Sequence, residues 1–307
     1  MSKTPITLTS VSLGDRTIQV PMARLEGDKP GPTLLITGGN DGDEYAGIEA
    51  CYRIIEEFSH TSFSGTLTII PVVNIPGFEA EKSENPADGK FPKCVFPGRA
   101  DGTSTERLRY WLYGIAKQSD FWLDLHDGAL TERLVPFVHA RKSHNSALDQ
   151  RVQSLINHMP VSYAVFEDVP FIVKDLASHG CGYLLCESGS FGKRDVVAIN
   201  RHIQWSHTVM SQLRMVQEPL KQQNKHIFAN VQTYTLTKNG LWISHFPVDN
   251  VVTKGAILGS VQSVEGKISE TITAKQNGIL LWGKEGLRAT AGNCVAGVGY
   301  NEIPSNE

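Results

Sequence analysis

Three acidic residues lie within four positions of the first strand-to-helix turn of the chain. The stretch ITGGNDGDEYAG, residues 36–47, runs from an apolar strand through two glycines to Asp41, Asp43 and Glu44, and a helical pattern follows. Acidic side chains ahead of a helix often act as N-caps, which stabilise by around 1 kcal/mol. Carboxylates are also oxygen ligands for divalent metal ions. This turn alone therefore leaves capping and metal binding open.

Two further strand ends carry residues of the same chemical type. FWLDLHDG, residues 121–128, contains Asp124, His126 and Asp127, and YLLCESGSFG, residues 183–192, contains Glu187. A catalytic zinc ion typically keeps three protein ligands and one open position for water. A further carboxylate can then accept a proton from the water. A lone histidine or carboxylate is often structural, but three such strand ends together predict a metal-dependent hydrolytic site.

Alternating strand and helix patterns position these residues in the first two-thirds of the chain. The predicted strands are Thr33–Thr37, Thr66–Val73, Phe121–Leu125, Tyr163–Phe166 and Tyr183–Glu187. One predicted helix begins after Glu44, and two more span Thr103–Lys117 and Asp195–Gln217. Open α/β sheets place their sites at the carboxyl ends of the strands, so we expect the three motifs to meet there.

The texture of the sequence changes after a polar stretch near residue 220. From about residue 228 onward, short β-like runs alternate with Gly and Asn, which is typical of an all-β module. We therefore expect a metallohydrolase-like catalytic domain over residues 1–224 and a small β domain over residues 225–307.

Composition limits which binding partners and which cellular compartment are expected for the chain. A net charge of −3 argues against nucleic acid or an anionic membrane surface as the main partner, and leaves a small-molecule substrate as the expectation. No apolar run is long enough for a membrane span, and the first residues do not resemble a signal peptide. Five scattered cysteines without a CxxC pair favour the reducing cytoplasm. The sequence leaves open whether the chain forms a homo-oligomer.

The motifs resemble those of the succinylglutamate desuccinylase/aspartoacylase family of the zinc carboxypeptidase clan, over nearly the whole chain. That family carries a GGxHGxE turn, a later DLHxG, an LNRxFPG segment followed by ER, and a glutamate before a Ser-Gly pair at a strand end. The matching segments here are Gly38–Glu44, Asp124–Gly128, Val95–Gly98 with Glu106 and Arg107, and Glu187–Gly189.

The resemblance implies a fold and a set of roles. It implies a zinc-carboxypeptidase-like mixed α/β sheet flanked by helices, with a C-terminal all-β, barrel-like domain similar to a biotinyl/lipoyl carrier. That domain lacks an obvious carrier lysine hairpin, so we expect it to be structural or to gate access. One Zn²⁺ would be held by Asp41, Glu44 and His126, with Glu187 as general base and acid. Asp127 and Asp124 are the two candidates for orienting the histidine ligand.

The chain departs from the family at one metal ligand. Asp41 stands where the family has its first histidine, so the site carries two carboxylates against one divalent ion. A carboxylate can still coordinate zinc, but the added charge makes Mn²⁺ or another hard divalent ion more plausible than it is for the family.

A second departure falls on the substrate clamp. The family's Asn-Arg pair is replaced by Lys93 and Cys94. We expect Lys93, Lys90 or Arg99 to supply a cation instead, but without the bidentate grip of the original arginine. Other candidates for a relocated clamp are Arg133, Arg141 and Arg194. Acidic N-acyl amino acids therefore fit this site poorly as substrates, and a neutral or basic acyl-amino compound or a short peptide-like amide fits better.

The sequence thus predicts a cytoplasmic, metal-dependent amidohydrolase that cleaves an amide bond of an N-acyl amino acid or related small acyl-amine with metal-activated water. The alternative is a catalytically degenerate relative that acts as a binding or regulatory protein. Asp41 and the lost Asn-Arg pair favour that alternative, whereas Glu44, His126 and Glu187 favour the enzyme.

Overall fold

Strands from both parts of the chain pair into one large mixed sheet. The computed structural model describes residues 5–169 and 172–304. The strands are β1 (Ile6–Ser12), β2 (Thr17–Glu26), β3 (Lys29–Gly38), β4 (Ser64–Ile70), β5 (Phe121–His126), β6 (Glu132–Leu134), β7 (Phe137–Arg141), β8 (Tyr163–Glu167), β9 (Gly182–Glu187), β10 (His226–Thr235), β11 (Gly240–Ser244), β12 (Val251–Val252), β13 (Ile257–Gln262), β14 (Ile268–Thr273), β15 (Gly278–Lys284), β16 (Arg288–Ala289) and β17 (Cys294–Ile303). The helices are α1 (Tyr45–Phe58), α2 (Ile75–Glu79), α3 (Ser104–Ala116), α4 (Ser146–His158), α5 (Val173–Ser178) and α6 (Val196–Gln212), and Pro92–Cys94 forms a 3₁₀ turn.

The large sheet has the order β1-β2-β4-β3-β5-β9-β7-β8-β10-β17-β15-β12, with β6 paired to β15. Its centre is parallel: β3 pairs with β4 and β5, and β5 pairs with β9. A second, antiparallel sheet has the order β14-β13-β11-β16. The predicted mixed α/β fold with an additional C-terminal β region is confirmed.

Helices cover both faces of the central strands, which explains why those strands are apolar almost throughout. On one face, Ile54 of α1 and Trp205 of α6 pack in the same core cluster as Leu34. On the other face, Leu108 and Leu112 of α3 pack with Trp122. A strand buried on both faces has little use for alternating polar residues. A polar side chain at the end of such a strand therefore needs a specific partner.

Two details differ from the sequence prediction. The helix predicted to run to Gln217 ends at Gln212, and Arg214 has a φ of 60°, in the left-handed region, which a continuing α-helix does not allow. The large sheet also continues past residue 225, because His226–Phe228 of β10 pair in parallel with β8. The division into domains 1–224 and 225–307 stays a prediction. Within the described residues, no helix has the length and apolar character needed to cross a membrane.

Acid should weaken this fold through His202 of α6. The side chain is fully buried, its Nε2 lies 3.1 Å from the Ser188 carbonyl oxygen, and burial lowers the pKa of His202 to about 3. Between pH 6.5 and that value the unfolded chain binds a proton that the folded chain does not. The free energy of unfolding therefore falls as pH drops, by about 2 kcal/mol from this residue at pH 5.

Urea denaturation at pH 7 and pH 5 measures this contribution. His202→Gln should lose less stability on acidification than the wild type does. His60→Gln, a change at an exposed histidine, serves as the control and should match the wild type. Equal losses in all three proteins would contradict the assignment to His202.

Candidate metal centre and active site

Three buried donors converge where β3 and β5 end. Asp41 and Glu44 lie in the turn between β3 and α1, and His126 is the last residue of β5. Side by side in parallel register, with Gly38 opposite Leu125, the two strands bring these ends together. One potential ligand atom from each of the three residues lies within 4.8 Å of the others, and all three side chains are buried. The structure thus groups the three residues predicted as metal ligands, whose role stays a prediction.

The turn that carries Asp41 is packed too closely for any side chain at Gly42. A Cβ atom there would lie 2.2 Å from the backbone carbon of Gly77, and the Gly42 amide donates to the carbonyl of Lys82 at 3.1 Å. The next acid, Asp43, is not one of the three grouped donors and accepts from the Ser83 hydroxyl at 2.6 Å. Close packing and this bond fix the turn.

Asp124 orients the imidazole of His126. The Nε2 atom lies 3.2 Å from Oδ2 of Asp124, which leaves Nδ1 facing the other two donors. That Nδ1 atom lies 2.9 Å from Oε2 of Glu44 and 3.8 Å from Oδ2 of Asp41. A carboxylate behind a histidine fixes its tautomer and is the usual support of a metal-binding imidazole. Of the two predicted supports, Asp124 makes this contact.

Several donors hold the Asp124 carboxylate. The hydroxyl of Thr37 and the amide of Asn40 donate to Oδ1 at 2.6 Å each, and the hydroxyl of Tyr183 donates to Oδ2 at 3.1 Å. Burial alone would raise the pKa of Asp124, but His126, the Thr37 hydroxyl and the Arg109 charge outweigh burial and the pKa is lowered. Asp124 is therefore built to remain a carboxylate.

Asp127, the second residue predicted to orient His126, contacts the start of α1 and Glu44 instead. Its Oδ2 accepts from the backbone N–H of Ala46 at 3.2 Å, in the first turn of α1. Its own backbone N–H donates to Oε2 of Glu44 at 3.1 Å. Burial raises the pKa of Asp127 to about 7. These contacts support Glu44 and the start of α1.

The charges of the cluster suit a cation, and one of its oxygen atoms has no hydrogen-bond partner among the described residues. Burial and then the neighbouring Asp41 raise the pKa of Glu44 well above its usual range. Burial lowers the pKa of His126, but Asp124 and Glu44 outweigh burial and raise it. Oδ1 of Asp41 is buried and has no hydrogen-bond partner among the described residues. Two carboxylates and a preoriented imidazole nitrogen fit a divalent cation.

Glu187, predicted as the catalytic residue, ends β9 directly beside the histidine. Its Cα pairs with that of His126 in the parallel register of β5 and β9. The side chain is half-buried, and burial raises its pKa to about 7. A carboxyl group that titrates near neutrality suits proton transfer in both directions.

Of the predicted substrate-binding cations, Lys93 lies in the site, whereas Lys90 pairs with Glu106 at 3.1 Å. Nζ of Lys93 is bonded to Oδ2 of Asp41. The Arg99 guanidinium is exposed and pairs at 3.1 Å with Asp101 in its own loop, a contact that lends no support to the predicted role. The other candidate arginines contact carboxylates as well: Arg133 with Glu285, Arg194 with Glu49 and Arg141 with Glu167.

Arg109 is a supporting residue that the sequence analysis missed. It is 3% exposed, and its Nη1 donates to Oδ1 of Asn40 at 2.8 Å. Its guanidinium carbon lies 5.1 Å from the ring centroid of Phe96 and 5.4 Å from that of Trp122. Asn40 in turn donates to Asp124, which contacts the His126 ring. Arg109 therefore positions the histidine indirectly, through Asn40 and Asp124. The sequence signal that could have revealed Arg109 is its place within the apolar stripe of α3.

Comparisons with known proteins agree with this geometry. Residues 30–198 match the family model described as the succinylglutamate desuccinylase/aspartoacylase catalytic domain. The N-alpha-acetyl-L-2,4-diaminobutyric acid deacetylase of Halomonas elongata is 39% identical over 108 residues, 35% of this chain and 32% of that protein. The match thus spans about a third of the length of that curated relative.

Solved structures share the fold over almost the whole chain. A succinylglutamate desuccinylase from Silicibacter sp. TM1040 has a TM-score of 0.81 at 22% identity, covering 98% of this chain and 100% of that one. The product-bound ectoine utilization protein EutE (DoeB) from Ruegeria pomeroyi has a TM-score of 0.80 at 23% identity, covering 98% and 100%. At these identities the likeness concerns the fold alone.

Removing the Arg109 guanidinium should destabilise the protein. Arg109→Met would leave the buried Oδ1 of Asn40 without its donor, so we expect the free energy of unfolding to fall by about 1–3 kcal/mol in urea denaturation. Lys117→Met, at an exposed position just after the same helix, should stay within about 0.5 kcal/mol of the wild type. A variant at Arg109 as stable as the wild type would show that Asn40 does not depend on it.

Proposed function

Because the chain belongs to the succinylglutamate desuccinylase/aspartoacylase family, we propose that it is a metal-dependent hydrolase of the amide bond in an N-acyl amino acid or a related small acyl-amine. The observation that carries the proposal is the convergence of Asp41, Glu44 and His126 beside the half-buried Glu187. Neither capping nor core packing explains why the chain buries three such donors against one another.

Asp41, Glu44 and His126 would hold the ion. When bound, a divalent cation supplies a Lewis acid that activates water and polarises the acyl carbonyl. Zn²⁺ is the family's ion, whereas two carboxylate ligands also suit Mn²⁺. Asp124 keeps Nδ1 of His126 directed at the ion, and Asp127 keeps Glu44 in place through its backbone amide.

Glu187 would move the proton. Its carboxylate accepts a proton from the attacking water and then donates it to the amine nitrogen of the leaving group, as a general base followed by a general acid. A pKa raised to about 7 by burial allows both steps near neutral pH. The position of the residue at the end of β9, opposite His126, supports this role.

We propose a neutral or basic N-acyl amino acid as the substrate class. The relative from Halomonas elongata is a deacetylase of an N-acetylated diamino acid, which carries a second amino group. The site region of this chain is rich in carboxylates: besides the ligands, the half-buried Glu132 has a pKa raised by burial and influenced by both Lys93 and Asp41. An acidic substrate would add negative charge to this surrounding, whereas an amino group would be attracted.

The C-terminal region would shape the entrance. Strand β15 pairs with β6, with Lys284 opposite Glu132 and Trp282 opposite Leu134. We propose that residues 225–307 act here as a structural or gating module for the catalytic residues 1–224.

The alternative function, a binding or regulatory protein without turnover, has one specific observation in its favour. The lysine ammonium of Lys93 is bonded to Asp41, a predicted ligand. Metal content and turnover separate the two functions.

Metal analysis of the full chain, purified without chelator and supplemented with zinc or manganese, tests the ligand set. We expect about one equivalent of bound metal, since three donors hold one ion. Asp41→Ala and His126→Ala should each lose it. Asp101→Ala removes an exposed acid and should retain it. A wild-type protein without metal under supplementation would refute the hydrolase proposal.

Glu187→Gln tests the proton-transfer step. Loss of a general base should lower kcat by about 10²–10⁴-fold while bound metal stays at the wild-type level. Turnover is measured as amine release from N-acetyl amino acids with acidic, neutral and basic side chains. Unchanged turnover in Glu187→Gln would remove Glu187 from the mechanism, and a preference for acidic side chains would contradict the proposed substrate class.

A further inference from the structure

We propose that the ammonium of Lys93 and a divalent metal ion compete for the same oxygen of Asp41, so that Lys93 leaves this oxygen when the metal binds. The inference rests on the proposed metal site and adds a residue that controls its affinity. It gives Lys93 a role toward the metal that is distinct from its predicted contact with substrate.

The geometry of the ion pair points to competition. Nζ of Lys93 is bonded to Oδ2 of Asp41, and it is this same oxygen that lies 3.8 Å from Nδ1 of His126. The ammonium therefore binds the oxygen that faces the other donors. The second oxygen of Asp41, Oδ1, has no hydrogen-bond partner among the described residues.

Charge explains why the lysine is there. Asp41 and Glu44 are buried, adjacent carboxylates, and buried like charges destabilise each other unless a cation compensates them. The lysine ammonium supplies that cation in the protein alone. A divalent ion at the same carboxylate would repel the ammonium at close range, since both carry positive charge. Both cations are therefore not expected on Oδ2 together.

Lys93 is free to move away, unlike the three donors. It lies on the short 3₁₀ turn Pro92–Cys94, and its side chain is 45% exposed, whereas that of Asp41 is fully buried. In the same position its Nζ also lies 5.8 Å from the ring centroid of Phe91, a cation–π contact at the outer limit of the usual range. A long, flexible and partly exposed side chain can swing its ammonium into solvent.

Calorimetric titration of Mn²⁺ into the chelator-treated full chain tests the competition. Lys93→Gln removes the competing charge and should bind Mn²⁺ about tenfold more tightly than the wild type. Lys93→Arg keeps a cation and should stay closer to the wild type. Lys90→Gln is the matched control from the same loop, since Lys90 pairs with Glu106 at 3.1 Å, and should leave the affinity unchanged.

The outcomes separate this inference from the proposed function. Affinity in Lys93→Gln equal to or weaker than in the wild type overturns the inference and leaves the metal site standing. Binding by Lys93→Gln but not by the wild type supports the inference and overturns the proposed metal-dependent function of the natural chain. No binding by any of the proteins overturns both.

A second measurement reports on Lys93 directly. Brief labelling of lysines with an amine-reactive reagent, quantified by mass spectrometry, should increase at Lys93 when Mn²⁺ is added, because the ammonium is released from Asp41. Labelling at Lys90 should not change. Constant or reduced labelling of Lys93 with bound metal would show that the lysine stays in place and would overturn the inference.

Discussion

The burial of carboxylates at the ends of apolar strands is the constraint on which this site depends. Asp41, Glu44 and Asp124 lie in positions where an uncompensated charge costs several kcal/mol. The chain compensates them with a histidine between Glu44 and Asp124, with donors on both Asp124 oxygens, and with Lys93 on Asp41. The same interactions fix the imidazole and the ligand turn. Compensation of charge and positioning of donors are therefore one structural solution.

The meeting of the motifs could be predicted from the sequence because parallel strands place their carboxyl ends at one edge. Asp41 follows β3, and His126 and Glu187 end β5 and β9; the three strands are neighbours in the sheet. The supporting contacts could not be predicted in the same way. Arg109 and Asn40 are 69 positions apart, and no local pattern encodes their bond. For Arg99, conversely, the sequence could not show that a local partner, Asp101, would bind its guanidinium.

In the C-terminal region, too, the sequence predicts that strands are present but not how they pair. Alternating short runs predict β-structure after residue 228, but they do not predict which sheet each strand joins. In the structure β10, β12, β15 and β17 extend the large sheet, and β11, β13, β14 and β16 form their own. Strand β6 has only three residues, too few for a recognisable period, yet it pairs with β15. Pairing is decided by packing over long sequence separations rather than by local propensity.

The two departures from the family motifs are in contact with each other. Asp41 stands in place of a neutral ligand and adds one negative charge, and Lys93, in place of an uncharged asparagine, adds one positive charge and is bonded to Asp41. Taken separately, the first departure weakens a metal site and the second weakens a substrate clamp. Lys93 offsets the charge that Asp41 adds, but Cys94 in place of the family's arginine removes one positive charge, so the three replacements together leave the site one charge more negative. A more negative site has a stronger electrostatic attraction for a cation.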